Sequence, residues 1–150
     1  MSDTQEFAQG REVLLYTDEN GHWIAEVPSL YGCISDGRTG EEALERVNQA
    51  IDLWIEAATA HYEEIPENFD PGMSELVWAD LPRFLGRECI KALLKIGFFV
   101  DRQKGTHIIL YRENPYTKVI VPENWELPAG TLRAVIKYAG LSADDFIQLL

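Results

Sequence analysis

The chain of 150 residues has only two cysteines, Cys33 and Cys89, in separate halves and each inside an apolar pattern. Two isolated thiols build neither a disulfide framework nor a zinc site, so both read as small buried hydrophobes. No stretch approaches the ~18 consecutive apolar residues of a membrane span, and the first ten residues are polar and acidic without a secretory core. A cytoplasmic location, no membrane partner, no metal and no cofactor are expected. Positive charge is scarce and uneven: residues 1–80 hold 18 Asp and Glu against 3 Lys and Arg, a net −15. Residues 81–150 hold 7 against 10, a net +3. A basic half can meet phosphate, and an acidic half can compete for the same surface, although acidic excess also serves solubility alone. With 46% hydrophobic and 25% charged residues the chain folds around packed cores, as one domain or two small ones.

After a frayed start, residues 12–17 read as a strand, Asp18-Glu19-Asn20-Gly21 as a turn and 22–27 as the returning strand of a hairpin. Pro28-Ser29-Leu30-Tyr31-Gly32 reverses the chain before a short third strand, 33–35. Thr39 then opens a helix, with Glu42 completing a capping box. Leu44, Val47, Ile51, Trp54 and Ala58 form its apolar stripe and must lie on the sheet; Glu41, Glu45, Asp52 and Glu56 face out. Ile65-Pro66 stops the helix, and a fourth strand is expected at 74–78.

The motifs Asp18-Glu19-Asn20-Gly21, Val27-Pro28-Ser29-Leu30-Tyr31-Gly32-Cys33, Gly37-Arg38-Thr39-Gly40-Glu41-Glu42-Ala43, and Ala50-Ile51 followed by Ile65-Pro66, resemble a HicB-type antitoxin domain. The resemblance implies a truncated RNase H-like β-β-β-α(-β) unit, core about 12–67, with a connecting segment at about 67–80. RNase H chemistry needs carboxylates converging on two metal ions. Here the acids are scattered over turns and an outward helix face, so this half is not expected to be catalytic. His22 and His61 read as surface histidines at a strand end and a helix end.

In the second half a helix at 87–96 turns Cys89, Ile90, Leu93 and Leu94 inward, and Gly97 stops it. Opposite them Arg87, Lys91 and Lys95 recur every four residues. Like charges at that spacing cost an isolated helix a few tenths of a kcal/mol, roughly, which favours phosphate contact over a merely solvated face. A strand at 98–103, a turn at Lys104-Gly105 and a strand at 106–112 follow. Alternation puts His107, Ile109 and Tyr111 on one face and Ile108, Leu110 and Arg112 on the other. His107 thus stands at the mouth of a strand, positioned and accessible. A third strand at 117–122 precedes a helix at 130–139, with Leu132, Val135 and Ile136 inward and Arg133 and Lys137 outward. Ser142 and Asp145 cap a last turn carrying Phe146, Leu149 and Leu150.

The order α-β-β-β-α is that of a double-stranded-RNA-binding domain. Leu81-Pro82, Gly86-Arg87-Glu88, Ile90-Lys91-Ala92-Leu93, Gly97-Phe98, Arg102-Gln103-Lys104-Gly105-Thr106-His107, Val121-Pro122 and Ala139-Gly140-Leu141-Ser142 resemble a HicA-type toxin, a small mRNA-cleaving enzyme, over essentially all of 81–150. Two positions depart from that family. Gly105-Thr106-His107 stands where Gly-Ser-His is usual, and Asn124 where a second histidine is common.

The expected protein is therefore α+β, an antitoxin-like domain at 1–80 fused to a toxin-like domain at 81–150. The resemblance implies a metal-independent endoribonuclease with His107 as its catalytic group. Arg87, Lys91, Lys95, Arg102, Lys104, Gly105 and Thr106 would contact RNA. The acidic half would hold the enzyme inactive, in cis or by exchange between chains of a homo-oligomer, with acids such as Glu41, Glu45, Glu63 and Glu64 meeting Arg87, Lys91, Lys95 or Lys104. DNA binding is not expected. A protein that has lost cleavage and keeps RNA binding or regulation is the alternative, on the strength of Thr106 and Asn124.

Overall fold

A computed structural model describes residues 4–67, 86–123 and 126–150, the side chains of 4 and 5 excepted. Two antiparallel sheets and four helices make the fold α+β. The first sheet has the order β1 (Thr4–Ala8), β2 (Arg11–Thr17), β3 (Trp23–Glu26), β4 (Ile34–Gly37). Strand β1 corrects the frayed start. Its Phe7 is exposed, so it carries little of the apolar alternation that marks a half-buried strand. Backbone pairing to β2, across the two-residue turn Gln9-Gly10, creates it instead. The expected strand at 74–78 and the start at Leu81-Pro82 lie outside the described residues, as does Asn124.

Helix α1 (Gly40–Ala60) is capped by Thr39, whose Oγ1 accepts from the Glu42 amide at 3.1 Å, but Glu42 Oε1 accepts from the Arg38 amide at 2.9 Å instead of closing the expected capping box on Thr39. It lies between two sheets, not on one. Val13, Leu15 and Ala25 share its apolar cluster with Ile109, Tyr111 and Ile120 of the second half. That half runs α2 (Gly86–Leu94), β5 (Phe99–Lys104), β6 (His107–Glu113), β7 (Tyr116–Pro122), α3 (Ala129–Ala139) and α4 (Ala143–Gln148), its sheet ordered β5-β6-β7. The other face of this sheet packs Ile108, Leu110, Val119 and Val121 under Cys89, Leu93, Leu132, Val135, Ile136 and Phe146. Leu94 is a correction: the helix ends there and the side chain is exposed, Ala92 being buried in its place. Burial pushes the Cys89 thiol up to about 12 and raises the Cys33 thiol further, so neither ionises. No helix among the described residues is long and apolar enough to cross a membrane.

The halves also meet through backbone. The Ile120 amide, on the outer edge of β7, donates to the Gly32 carbonyl at 2.8 Å. Gly32 has φ +85°, and a Cβ there would lie 2.2 Å from the Lys118 carbonyl oxygen. Only glycine permits both the left-handed turn and this approach. Gly32→Ala should therefore raise amide hydrogen exchange at Ile120 at least tenfold and lower the melting temperature. Unchanged protection at Ile120 would show that the loop does not hold the two halves together.

Candidate functional site

His107 is placed by the β5–β6 hairpin. Lys104 pairs with His107 across a two-residue turn, Gly105-Thr106, which Gly105 permits with φ +59°. On its other side His107 pairs with Pro122 of β7. The imidazole, expected to be accessible, is 0% exposed. Its Nε2 is 2.7 Å from Ser35 Oγ of β4, and Nδ1 has no hydrogen-bond partner among the described residues. Among the described residues no carboxylate bonds to this ring as one does in a catalytic triad.

Helix α1 closes over the hairpin, running antiparallel to β5. Arg46 donates to the Thr106 hydroxyl at 3.0 Å and to Asp36 Oδ1 at 2.7 Å. Gln49 covers the turn so closely that a Cβ on Gly105 would sit 2.9 Å from its Oε1. Lys104 Nζ meets Glu56 Oε2 at 3.1 Å, and His61 Nε2 meets Asp101 Oδ1 at 2.6 Å. Asp101 also takes Arg102 Nε at 2.8 Å, and these two partners lower its pKa against the opposing effect of burial. Beyond the helix end, Glu63 accepts from Tyr111 Oη at 2.7 Å and Lys118 Nζ at 3.1 Å. The Lys118 ammonium lies 3.6 Å above the Trp54 ring, a cation–π contact in a buried setting. Loss of solvent pulls its pKa down although Glu63 opposes the shift.

Of the residues expected to contact RNA, Arg102, Lys104, Gly105 and Thr106 gather beside His107. Arg87, Lys91 and Lys95 do not. They lie on and just after α2, which covers the opposite face of the sheet: Lys95, beyond the helix end, donates to the Leu149 carbonyl, and Arg87 and Lys91 are exposed without partners among the described residues. The structure shows which ion pairs form. Glu63 pairs with Lys118, and Lys104 with Glu56. His61 is at the surface at the helix end, as expected, and also bridges the halves through Asp101. Ser35, Arg46 and Gln49 were not expected at the site at all. Arg46, Gln49, Leu53 and Glu56 recur at helical spacing beside the main apolar stripe, a second face of which the sequence reading placed only Glu56, and placed it outward.

Two family models match the chain. Residues 12–96 match the HicB_like antitoxin of bacterial toxin-antitoxin system, and residues 86–141 match the HicA toxin of bacterial toxin-antitoxin. A curated relative, UPF0150 protein Ta0767 of Thermoplasma acidophilum, is 39% identical over 56 residues, 37% of this chain and 81% of the relative. UPF0150 protein ssl0259 of Synechocystis is 39% identical over 54 residues, covering 36% of this chain and 74% of its own. A UPF0150 protein of Helicobacter pylori is 50% identical over 38 residues, 25% of this chain and 51% of its own. With an antitoxin-like α1 and β4 packed on a toxin-like hairpin, the molecule is a toxin-antitoxin protein whose two parts contact each other. Its first match spans more than half the residues, and the chain belongs to the HicB-like antitoxin family of bacterial toxin-antitoxin systems.

Burial, aided by the Arg46 charge, holds the His107 pKa down at about 4. In the unfolded chain it returns to ~6.5. Above that pH neither state is protonated and His107 contributes nothing to the pH dependence. Between ~6.5 and about 4 the unfolded chain binds a proton that the folded chain does not, so stability falls as pH falls. Denaturant titrations at pH 7.5 and pH 5 should show about 2 kcal/mol of this loss in the parent chain and not in His107→Gln. An identical pH dependence in both chains contradicts the assignment.

Proposed function

We propose that residues 81–150 form a domain that cleaves mRNA without a metal, that His107 is its acid-base group, and that residues 1–80 hold it inactive. The supporting observation is the complete burial of His107 under Ser35 and α1, which leaves a ribose 2′-hydroxyl no path to the imidazole. Once uncovered, His107 takes the 2′-hydroxyl proton or protonates the leaving oxygen, and its pKa near ~6.5 in water suits either role. The 2′-oxygen attacks phosphorus, the bond to the 5′-oxygen breaks and that oxygen gains a proton. The products are a 2′,3′-cyclic phosphate and a free 5′-hydroxyl. Arg102 and Lys104 offset the charge on the pentacoordinate phosphorus, and Gly105 lets phosphate approach the backbone. Thr106 supplies the hydroxyl next to the histidine.

In the closed chain the acidic half engages Lys104 through Glu56 and Thr106 through Arg46, while Arg102 pairs with Asp101 of its own strand. The covalent connection holds the inhibiting half at an effective concentration on the order of millimolar, so closure does not require tight intrinsic affinity. Protein that binds RNA without cutting it would fit the alternative, a decayed nuclease.

Residues 81–150, the intact chain and the His107→Ala fragment, incubated with RNA in EDTA, decide between these. The fragment should cleave at least a hundredfold faster than the intact chain, and His107→Ala should lower its rate by about 10²–10⁴. Cleavage unaffected by His107→Ala, or abolished by EDTA, overturns the mechanism. RNA retained intact by the wild-type fragment supports the decayed enzyme.

A further inference from the structure

A second set of polar contacts between the halves runs along α3. Four carboxylates of the acidic half follow this helix from its first turn to its last. Asp18 Oδ2 accepts from the Gly130 amide at 3.3 Å, and Asp36 Oδ2 accepts from the Thr131 hydroxyl at 2.7 Å. Glu19 takes both terminal nitrogens of Arg133 in a bidentate pair. Glu26 accepts from Lys137 Nζ at 2.8 Å and from Tyr138 Oη at 2.7 Å. Positions 130, 133 and 137 lie on one helix face and span about 10.5 Å of helix, with Thr131 and Tyr138 turned to one side of that face.

Three of these acids are expensive to place. Asp18, Glu26 and Asp36 are buried, at 9%, 1% and 2% exposure, and a buried carboxylate is tolerated only when fully paired. An apolar contact would serve a purely structural interface at lower cost. Oxygen anions in a row on the amide, hydroxyl, guanidinium and ammonium donors of one helix are also what an RNA backbone offers. Arg133 holds the Glu19 carboxyl down at about 2, so this anion stays ionised at any cellular pH.

We propose that Thr131, Arg133 and Lys137 are an RNA phosphate-binding row of the toxin half, and that Asp36, Glu19 and Glu26 occupy it as phosphate mimics. This rests on the reading of residues 81–150 as an RNA-binding toxin, and it adds a surface that adjoins the His107 hairpin through Asp36 and Arg46. Inhibition is then double. Ser35 and α1 cover the histidine, while the β2–β3 turn, β3 and β4 fill the phosphate row, so the acidic half must leave both before RNA can bind. The antitoxin half acts as a competitive ligand, and binding of RNA and of that half should exclude each other.

The test uses the full chain with His107→Ala to prevent cleavage, and with Glu19→Gln, Glu26→Gln and Asp36→Asn to remove the mimics while keeping their size. Circular dichroism checks that it is folded, and Glu19→Gln alone, at an exposed position, serves if the triple variant is not. Affinity for single-stranded RNA is measured by anisotropy from 50 to 200 mM salt. The amide variant should bind at least tenfold more tightly than the parent. Adding Arg133→Gln and Lys137→Gln should reverse the gain and lower the slope of log Kd against log salt by about 1.4, two contacts at ~0.7 each. If those substitutions leave affinity and slope unchanged while Arg87→Gln with Lys91→Gln abolishes binding, the α3 proposal fails and the toxin reading stands. If the amide variant binds no RNA although hydrogen exchange shows α3 uncovered, both fail, and the row serves only to hold the halves together.

Discussion

A three-stranded sheet with two apolar faces governs the rest of the molecule. Along β6 and β7 alternation sends Ile108, Leu110, Val119 and Val121 to one face and Ile109, Tyr111 and Ile120 to the other. The helices that accompany this sheet in its own half cover only the first face. The second is covered by α1 of the acidic half. Each of its three large side chains gains about 1.5–3 kcal/mol from burial, so the contact is worth on the order of 5 kcal/mol before the polar interactions are counted. His107 is on that same face. Whatever covers the face for hydrophobic reasons also covers the histidine, so in this fold stability and the burial of His107 share one cause.

Electrostatics then fixes where the cover sits. The −15 of one half and the +3 of the other are realised as particular pairs: Glu56 with Lys104, Glu63 with Lys118, Glu19 with Arg133, Glu26 with Lys137. Exposed pairs such as Glu56–Lys104 contribute little to stability on their own. Buried groups such as Glu26 and Lys118 matter differently, because any arrangement that leaves one of them unpaired is strongly penalised. They select one register of the two halves. Gly32, whose position admits no side chain, adds a steric condition to the same selection.

Much of this was legible in the residues. The α-β-β-β-α order of the second half, the Thr39 cap, the Ser142–Asp145 capping box and the two faces of β6 follow from local periodicity and turn chemistry, and the structure has them. Relations between the halves were not legible, because no local pattern encodes them. Glu56 has the spacing of a solvent-facing residue until a second sheet is laid over the helix, and Arg133 and Lys137 look outward until β2–β3 arrives beneath them. Ser35 and Asp36, two small polar residues in a short strand, carry no signal of their roles. They become meaningful only once His107 and Thr131 stand beside them. Strand β1 was missed for a related reason: its partner lies next to it in the chain, but its side chains are too little buried to show the alternation.

The central claim is that the antitoxin half removes His107 from water and from RNA together. The most direct measurement is an NMR titration of the His107 imidazole in the intact chain, with and without single-stranded RNA. The account predicts protonation with a pKa of about 4 and no change of its resonances on adding RNA at neutral pH. A pKa near ~6.5 with resonances that move as RNA is added would mean that the histidine is open in the intact chain, and would contradict the account.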